Sequence, residues 1–200
     1  MNNEELKLIR GLLLTHGVIA FPTETVMGLG VLFDDYQAYI RLNEIKRRPE
    51  DKPYTMMVAS VDDIEKYAYL NERNRKICEA FFPGPLTVLL PARDNVPCFV
   101  THNTGVIGIR IPNKESLLEL LKYVNIPLLV PSANISGDKP ALNTEEVKEI
   151  FGDQIDYIIE GSADGDLPST ILDLTKDEIA IIRQGSISID IINNVIGETK

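Results

Sequence analysis

The 200-residue chain contains no tryptophan, only two cysteines (Cys78 and Cys98) and only two histidines (His16 and His102). These four groups form no CxxC, HExxH or zinc-knuckle spacing, so neither a disulfide framework nor a zinc site is expected. Any metal must bind oxygen ligands, and 30 acidic residues without a spacing motif single none of them out. Long apolar runs are also lacking. Val18 to Phe21 and Leu128 to Val130 suit buried strands and fall far short of the roughly 20 residues a bilayer needs. Positive charge is scarce: 20 Lys+Arg stand against 30 Asp+Glu, a net charge of -10. A protein that coats nucleic acid by neutralising phosphates carries the opposite balance. The first residues, MNNEELKLIRGLLLTHG, place two glutamates where a signal peptide needs a positive region, and the expectation is a cytoplasmic protein with no membrane association.

What is present is an ordinary globular composition, 44% hydrophobic and 25% charged. Length and the lack of any long linker predict one domain over residues 1–200. Leu6, Ile9 and Leu13 recur at helical spacing before a stop at Gly17 and a strand ending at Pro22. Further helices are predicted over Asp35 to Lys46, after Ser60, over Glu72 to Phe82, Lys114 to Tyr123 and Glu145 to Phe151, with one more short helix near the end. Strands are predicted over Tyr54 to Ala59, Leu86 to Leu90, Val106 to Ile111, Leu128 to Val130, Tyr157 to Ile159, Ile171 to Leu174 and Ile179 to Arg183. The last two read as a hairpin, so the sheet cannot be purely parallel. The predicted class is α/β (α+β): a three-layer domain with a twisted mixed sheet flanked by helices. Ser132 to Asn143 and Gly161 to Ser169 are long, polar, irregular loops, where a site is to be sought.

Five segments could carry chemistry. Pro22 to Gly30 leaves a strand and offers the hydroxyls of Thr23 and Thr25 and a glutamate, and its glycines could let backbone approach an anion, although GxGxxG and GxxxxGK[ST] are absent. The plain alternative is a strand-to-helix turn. Lys46, Arg47, Arg48 and Lys52 concentrate four charges in seven positions. An isolated basic cluster is usually a solvated helix end, but Pro49 and Pro53 pin this one, and convergent Arg and Lys suit a triphosphate. In Val106 to Ile111, alternation puts the isoleucines on one face and Arg110 with Gly108 on the other, facing space that a carboxylate or phosphate would fill. Val130 to Gly137 supplies Ser132, Asn134 and Ser136 after a short strand. With no histidine in the segment, only two in the chain and no GxSxG, a Ser-His-Asp hydrolase is not expected, and these residues read as ligand-positioning groups or a capped turn. Ser169-Thr170 and Arg183-Gln184-Gly185 flank the final strands and are unremarkable alone.

In order, FPTETVMGLG, KRRPEDKP, FFPGPLTVLL, GIRIP, VPSANISG, PSTILDL and IIRQGSI resemble the YrdC-like family, the threonylcarbamoyl-AMP synthases of tRNA modification, over nearly the whole chain. The resemblance implies a short-form member, without the additional C-terminal domain of the family's longer members, and with a broad concave site. It implies synthesis of threonylcarbamoyl-adenylate and pyrophosphate from L-threonine, bicarbonate and ATP. A downstream tRNA-modifying threonylcarbamoyltransferase complex would use the product to make N6-threonylcarbamoyladenosine in tRNAs reading ANN codons. By the same resemblance Lys46, Arg48, Ser132 and Asn134 form the catalytic KxR and SxN pairs. Arg48, Lys52, Ser132 and Arg183 would hold ATP, with the loop near Ala141 closing over it, and Mg²⁺ riding on the phosphates. Thr25, Arg110 and Ser169 would hold threonine, with Thr23 and Val130 lining its pocket. Met57 stands where many relatives place a threonine-contacting histidine. Lys46, Arg48, Lys52, Arg110 and Arg183 are thus five cations expected to converge. The rival readings are a non-catalytic module of the same fold that binds RNA or acts in ribosome maturation, with weak tRNA or double-stranded RNA contact, and a carbamoyl-transfer domain.

Overall fold

A computed structural model describes residues 1–49 and 52–196. Glu50 and Asp51, the middle of the KRRPEDKP segment, lie outside the described residues. Among the described residues are nine strands, β1 (Ile19–Phe21), β2 (Gly28–Leu32), β3 (Thr55–Met57), β4 (Leu86–Pro91), β5 (Val106–Arg110), β6 (Leu128–Val130), β7 (Tyr157–Ile158), β8 (Thr170–Asp173) and β9 (Ala180–Arg183). The helices are α1 (Asn3–Leu13), α2 (Tyr36–Lys46), α3 (Val61–Ile64), α4 (Glu72–Phe81), α5 (Cys98–Thr101), α6 (Glu115–Val124), α7 (Thr144–Phe151) and α8 (Ile189–Ile196). The strands form one mixed sheet in the order β7-β1-β2-β6-β3-β5-β4-β8-β9. The expected late hairpin is β8–β9, antiparallel with a bulge between Ile171 and Leu172.

Helix starts follow the capping residues. Asn2, Asp35, Ser60, Asn71 and Asn143 each accept a backbone N–H from the first turn of the helix that follows, satisfying groups a helix cannot bond internally. At α7 the box is reciprocal in type: Glu146 N–H donates to Asn143 Oδ1 at 2.9 Å while Glu146 Oε2 accepts from Leu142 N–H at 2.7 Å.

The strand alternation sorts side chains onto two faces. One face carries Ala20, Leu29, Val31, Met56, Ile109, Val88, Leu129 and Leu172 into a core shared with α2, α4, α7 and α8. The other carries Ile19, Phe21, Leu32, Met57, Leu128 and Val130 against Leu6, Ile9 and Leu13 of α1 and Leu117, Leu120, Leu121 and Val124 of α6. Thus two helix layers enclose the sheet, but α1 and α6 cover only its β7-to-β3 side. The remainder of that face is where a cleft can open.

One strand went unread in the sequence. Gly28 to Leu32 pairs antiparallel with β1, Gly28 opposite Phe21 and Gly30 opposite Ile19. The segment is therefore a hairpin arm, not a strand-to-helix turn. Its glycines answer to packing: a Cβ on Gly30 would lie 2.6 Å from Phe21 Cε1, and one on Gly28 would lie 2.9 Å from Val130 Cγ1. They serve close ring-to-strand contact, not backbone approach to an anion.

Asp156, just before β7, ties three elements together. It accepts the Val18 N–H at 2.7 Å and a bidentate contact from Arg41 of α2 at 2.5 and 3.1 Å. Burial alone would raise its pKa, but Arg41 and the Val18 amide outweigh it and hold the carboxyl below the usual value. A carboxylate depressed on folding stabilises the fold above its unfolded pKa and loses that contribution as pH falls through the folded value. Asp156→Asn should therefore lower the urea midpoint at pH 7, and the gap to wild type should close below about pH 4. A gap that stays constant into the acid range would show that the Asp156 charge is not the stabilising element.

Candidate functional site

The uncovered part of the sheet face holds a cleft of about 480 Å³, lined among others by Thr25, Arg48, Met57, Arg110, Val130, Ser132, Asn134, Ser169 and Arg183. Register explains the convergence. Met57 pairs with Arg110, Thr55 with both Gly108 and Val130, and Ile171 with Arg183, so alternate residues of β3, β5, β6, β8 and β9 present to the same side. The site spreads over a sheet face and is not confined to strand carboxyl ends. The loops at Gly137 to Pro140 and Pro168 to Ser169 complete the wall.

Arg110 is 5% exposed, its isoleucine neighbours Ile107 and Ile109 pointing the opposite way into the core. Its Nη2 donates to Thr25 Oγ1 at 3.0 Å and lies 2.7 Å from Glu24 Oε1. Gly108 does not border open space, since a Cβ there would meet Leu89 Cδ2 at 3.2 Å. Arg183, at the exposed rim, donates from Nε to the Ser169 carbonyl at 3.0 Å and from Nη2 to Ser169 Oγ at 3.1 Å. Partial burial of its guanidinium, then the charge of Arg110, pulls its pKa below the ordinary arginine value. Two arginines close enough to oppose each other's charge favour an anion between them. Arg48 supplies the third guanidinium, stacked 4.5 Å from the Tyr54 ring centroid and donating to the Lys52 and Pro53 carbonyls, both at 3.0 Å.

Four sequence-predicted residues sit elsewhere. Lys46 is 1% exposed and its ammonium turns into the 132–138 loop, donating to Ser132 O at 2.5 Å, Asn134 O at 2.7 Å and Asn134 Oδ1 at 3.1 Å. Burial, then the Arg48 charge, pulls its pKa down to about 7, while three surrounding oxygens favour the charged form. Lys52 is exposed and outside the cleft lining, contributing its carbonyl to Arg48. Thr23 is buried as a turn brace: its Oγ1 donates to Val26 O at 2.7 Å and accepts the Thr25 and Val26 N–H groups. Ala141 is 1% exposed and pinned by bonds to Met27 and Ala133, so the lip near it is made by Asp138 and Pro140. Of the five expected cations, Arg48, Arg110 and Arg183 line the cleft; Lys46 and Lys52 do not.

Asn134 lines the cleft, yet its amide is occupied. Oδ1 accepts from Lys46 Nζ and from Ser132 Oγ at 2.7 Å, and Nδ2 donates to the carbonyls of Ile135 and Asp138 at 2.9 and 2.8 Å. The KxR and SxN segments therefore meet, but through a lysine that shapes the loop. Residues missed in the sequence include Tyr54, which seats Arg48, and Thr87, whose Oγ1 bonds Ser169 Oγ at 2.8 Å. The parallel register of Thr87 with Ile171 could have signalled the latter only once strand order was known. No group of three or more His, Cys, Asp or Glu among the described residues is placed to hold a metal.

An open sheet face set with three guanidiniums and several hydroxyls is a concave surface of the kind that takes small molecules. Residues 12–185 match the Sua5–YciO–YrdC family model, described as telomere recombination. The chain belongs to this family. It is 34% identical over 198 residues to the threonylcarbamoyl-AMP synthase of Pyrococcus abyssi, covering 98% of this chain and 58% of that protein. A putative threonylcarbamoyl-AMP synthase of Methanocaldococcus jannaschii is also 34% identical, covering 94% of this chain and 91% of that one. Among solved structures, P. abyssi Sua5 complexed with L-threonine superposes with a TM-score of 0.93 at 34% identity, covering 99% of this chain and 59% of that one. Escherichia coli YciO superposes with a TM-score of 0.88 at 25% identity, covering 96% and 94%. The chain thus spans under two thirds of the length of its P. abyssi relative. Among the described residues, no helix is long and apolar enough to cross a membrane.

Lys46→Met keeps the stem and removes the ammonium, leaving the Ser132 and Asn134 carbonyls without this donor while Asn134 Oδ1 keeps Ser132 Oγ. It should cost about 2–4 kcal/mol of unfolding free energy in urea titration. A variant within about 0.5 kcal/mol of wild type would show that Lys46 does not hold the loop.

Proposed function

We propose that this chain makes threonylcarbamoyl-adenylate and pyrophosphate from L-threonine, bicarbonate and ATP, as the names of its relatives suggest. The supporting observation is the convergence of Arg48, Arg110 and Arg183 with Thr25 and Ser169 on one cleft, whose 480 Å³ lies in the range of small-molecule sites. The chemistry asks for positioning and charge stabilisation. Threonine's nitrogen takes up the bicarbonate carbon to give a carbamate and water; a carbamate oxygen then attacks the α-phosphorus of ATP, and the bond to pyrophosphate breaks. Negative charge gathers on the phosphate oxygens and leaving group, where fixed guanidiniums are most effective in a partly desolvated cleft.

In this reading Arg110, with Thr25 and Ser169, takes the threonine carboxylate and hydroxyl, and Met57 and Val130 form the apolar wall near its methyl group. Arg48 and Arg183 hold the triphosphate, Mg²⁺ arriving with ATP, and Ser132 faces the nucleotide. Lys46 and Asn134 are positioning residues: they hold the loop that carries Ser132. Lys52, exposed beside Arg48, is left a long-range electrostatic role. No side chain is needed as a strong base, because orientation of two reactants supplies much of the acceleration. The released adenylate would pass to a threonylcarbamoyltransferase complex that modifies tRNA in the cytoplasm.

Pyrophosphate release from ATP is expected to require both L-threonine and bicarbonate. Arg110→Ala should raise the KM for threonine about 30-fold or more, the ~2 kcal/mol of a charge-assisted pair, with the KM for ATP little changed. Release indifferent to threonine, or steeply salt-dependent RNA binding with no turnover, would contradict the synthase reading.

A further inference from the structure

Arg110 and Arg183 both line the cleft, yet their charges are answered differently. Glu24 Oε1 lies 2.7 Å from Arg110 Nη2, with the two side chains 10% and 6% exposed. Arg183 is held by the Ser169 carbonyl and hydroxyl and forms no ion pair among the described residues. Glu24 is not part of the cleft lining and its carboxylate oxygens are buried, so a ligand does not reach them. Apart from Asp138 on the exposed 137–140 lip, no acidic residue among those described lines the cleft. The negative charge of Glu24 therefore acts on the cleft from behind Arg110.

A brace for the fold would be bonded differently. Asp156 takes the Val18 N–H and two guanidinium bonds from Arg41, whereas neither oxygen of Glu24 has a hydrogen-bond partner. The turn that carries Glu24 is already held without it. Thr25 Oγ1 accepts from Arg110 Nη2 at 3.0 Å and pairs with Thr23 Oγ1 at 2.9 Å. The Asp164 N–H donates to Thr23 O at 3.1 Å, and a Cβ on Gly165 would lie 3.0 Å from Glu24 O, so the 161–169 loop packs directly on this turn. What Glu24 supplies is a fixed charge.

Seen from the cleft, the Arg110–Glu24 pair is close to neutral, while Arg183 keeps its full charge. Coulomb repulsion by Glu24 grows with the net charge of a ligand and is weakly screened in a partly desolvated site. A zwitterionic amino acid carries no net charge and loses little, its carboxylate still meeting guanidinium N–H donors. A pyrophosphate or triphosphate group carries several negative charges and is repelled in proportion. We propose that Glu24 is a positioning residue acting through Arg110: its charge sorts the two anionic groups of the reaction, keeping phosphates off Arg110 and leaving that guanidinium to the amino-acid carboxylate. The proposal rests on the reading of this cleft as a site for an amino acid and a nucleotide, and goes beyond it by giving the reason each anion takes its own arginine.

Calorimetric titration with L-threonine, alone and in the presence of inorganic pyrophosphate, tests this directly. In wild type, pyrophosphate should weaken L-threonine binding by no more than about twofold, the two anions occupying separate arginines. In Glu24→Gln, which keeps the shape and removes the charge, pyrophosphate should compete at Arg110 and weaken L-threonine binding about tenfold. Glu24→Asp, which keeps the charge, should behave as wild type. A wild type in which pyrophosphate displaces L-threonine would overturn the proposal without any variant. It would also fall if L-threonine binding by Glu24→Gln ignored pyrophosphate, or if Glu24→Asp behaved as Glu24→Gln. A wild type that binds no L-threonine at all would overturn the amino-acid reading of the cleft, and this proposal with it.

Discussion

The buried ammonium of Lys46 is the interaction on which the cleft depends. Placing a lysine head group at 1% exposure is expensive unless its donors are met, and here three oxygens of the 132–138 loop meet them. The return contact, Ser136 N–H to the Lys46 carbonyl at 2.9 Å, closes the connection between the end of α2 and the loop. Met27 donates to Ala141 O and accepts from Ala133 N–H, tying the same loop to the hairpin at its other side. A polar loop that would otherwise be free is held against the sheet, and Ser132 is carried to the cleft wall. Loops with that degree of bracing cost little further entropy when a ligand binds.

The second constraint is an unfilled layer. Because α1 and α6 cover only part of their sheet face, the residues alternating to that side of β5, β8 and β9 meet a cavity in place of a helix. The same alternation that buries Ile107 and Ile109 turns Arg110 toward the cleft. Three guanidiniums can share this space within a chain of net charge -10 because each is seated on a local partner: Arg48 on Tyr54, Arg110 on Thr25 and Glu24, Arg183 on Ser169. Local arrangement, not overall charge, sets what the cleft attracts.

Much of this was legible in the sequence, and the exceptions have physical causes. The α7 capping box, the isoleucine alternation of β5 and the β8–β9 hairpin, whose strands are separated by six residues, are local signals. Arg110, Arg183, Ser169, Met57 and Val130 could be placed because each sits in a motif or at a strand end. β2 escaped because its two glycines read as turn residues, while the reason for them, the Phe21 ring and Val130, lies across strand pairings that no local pattern encodes. Lys46 and Lys52 were grouped with Arg48 by proximity in sequence. The αL residue Arg47, with φ 49°, ends α2 between them and sends Lys46 inward and the rest outward. Glu24 was visible as a residue but not as a partner, since its pairing with Arg110 spans 86 positions.

The central claim is that one cleft brings an amino acid and a nucleotide together on three arginines. A crystal structure of the chain with L-threonine and a non-hydrolysable ATP analogue tests it most directly. The account predicts the threonine carboxylate on Arg110 beside Thr25 and Ser169, and the triphosphate between Arg48 and Arg183. Ligand found instead in the smaller cavity of about 160 Å³ beside Tyr67, Leu121 and Ile126, or a triphosphate held without Arg48 and Arg183, would contradict it.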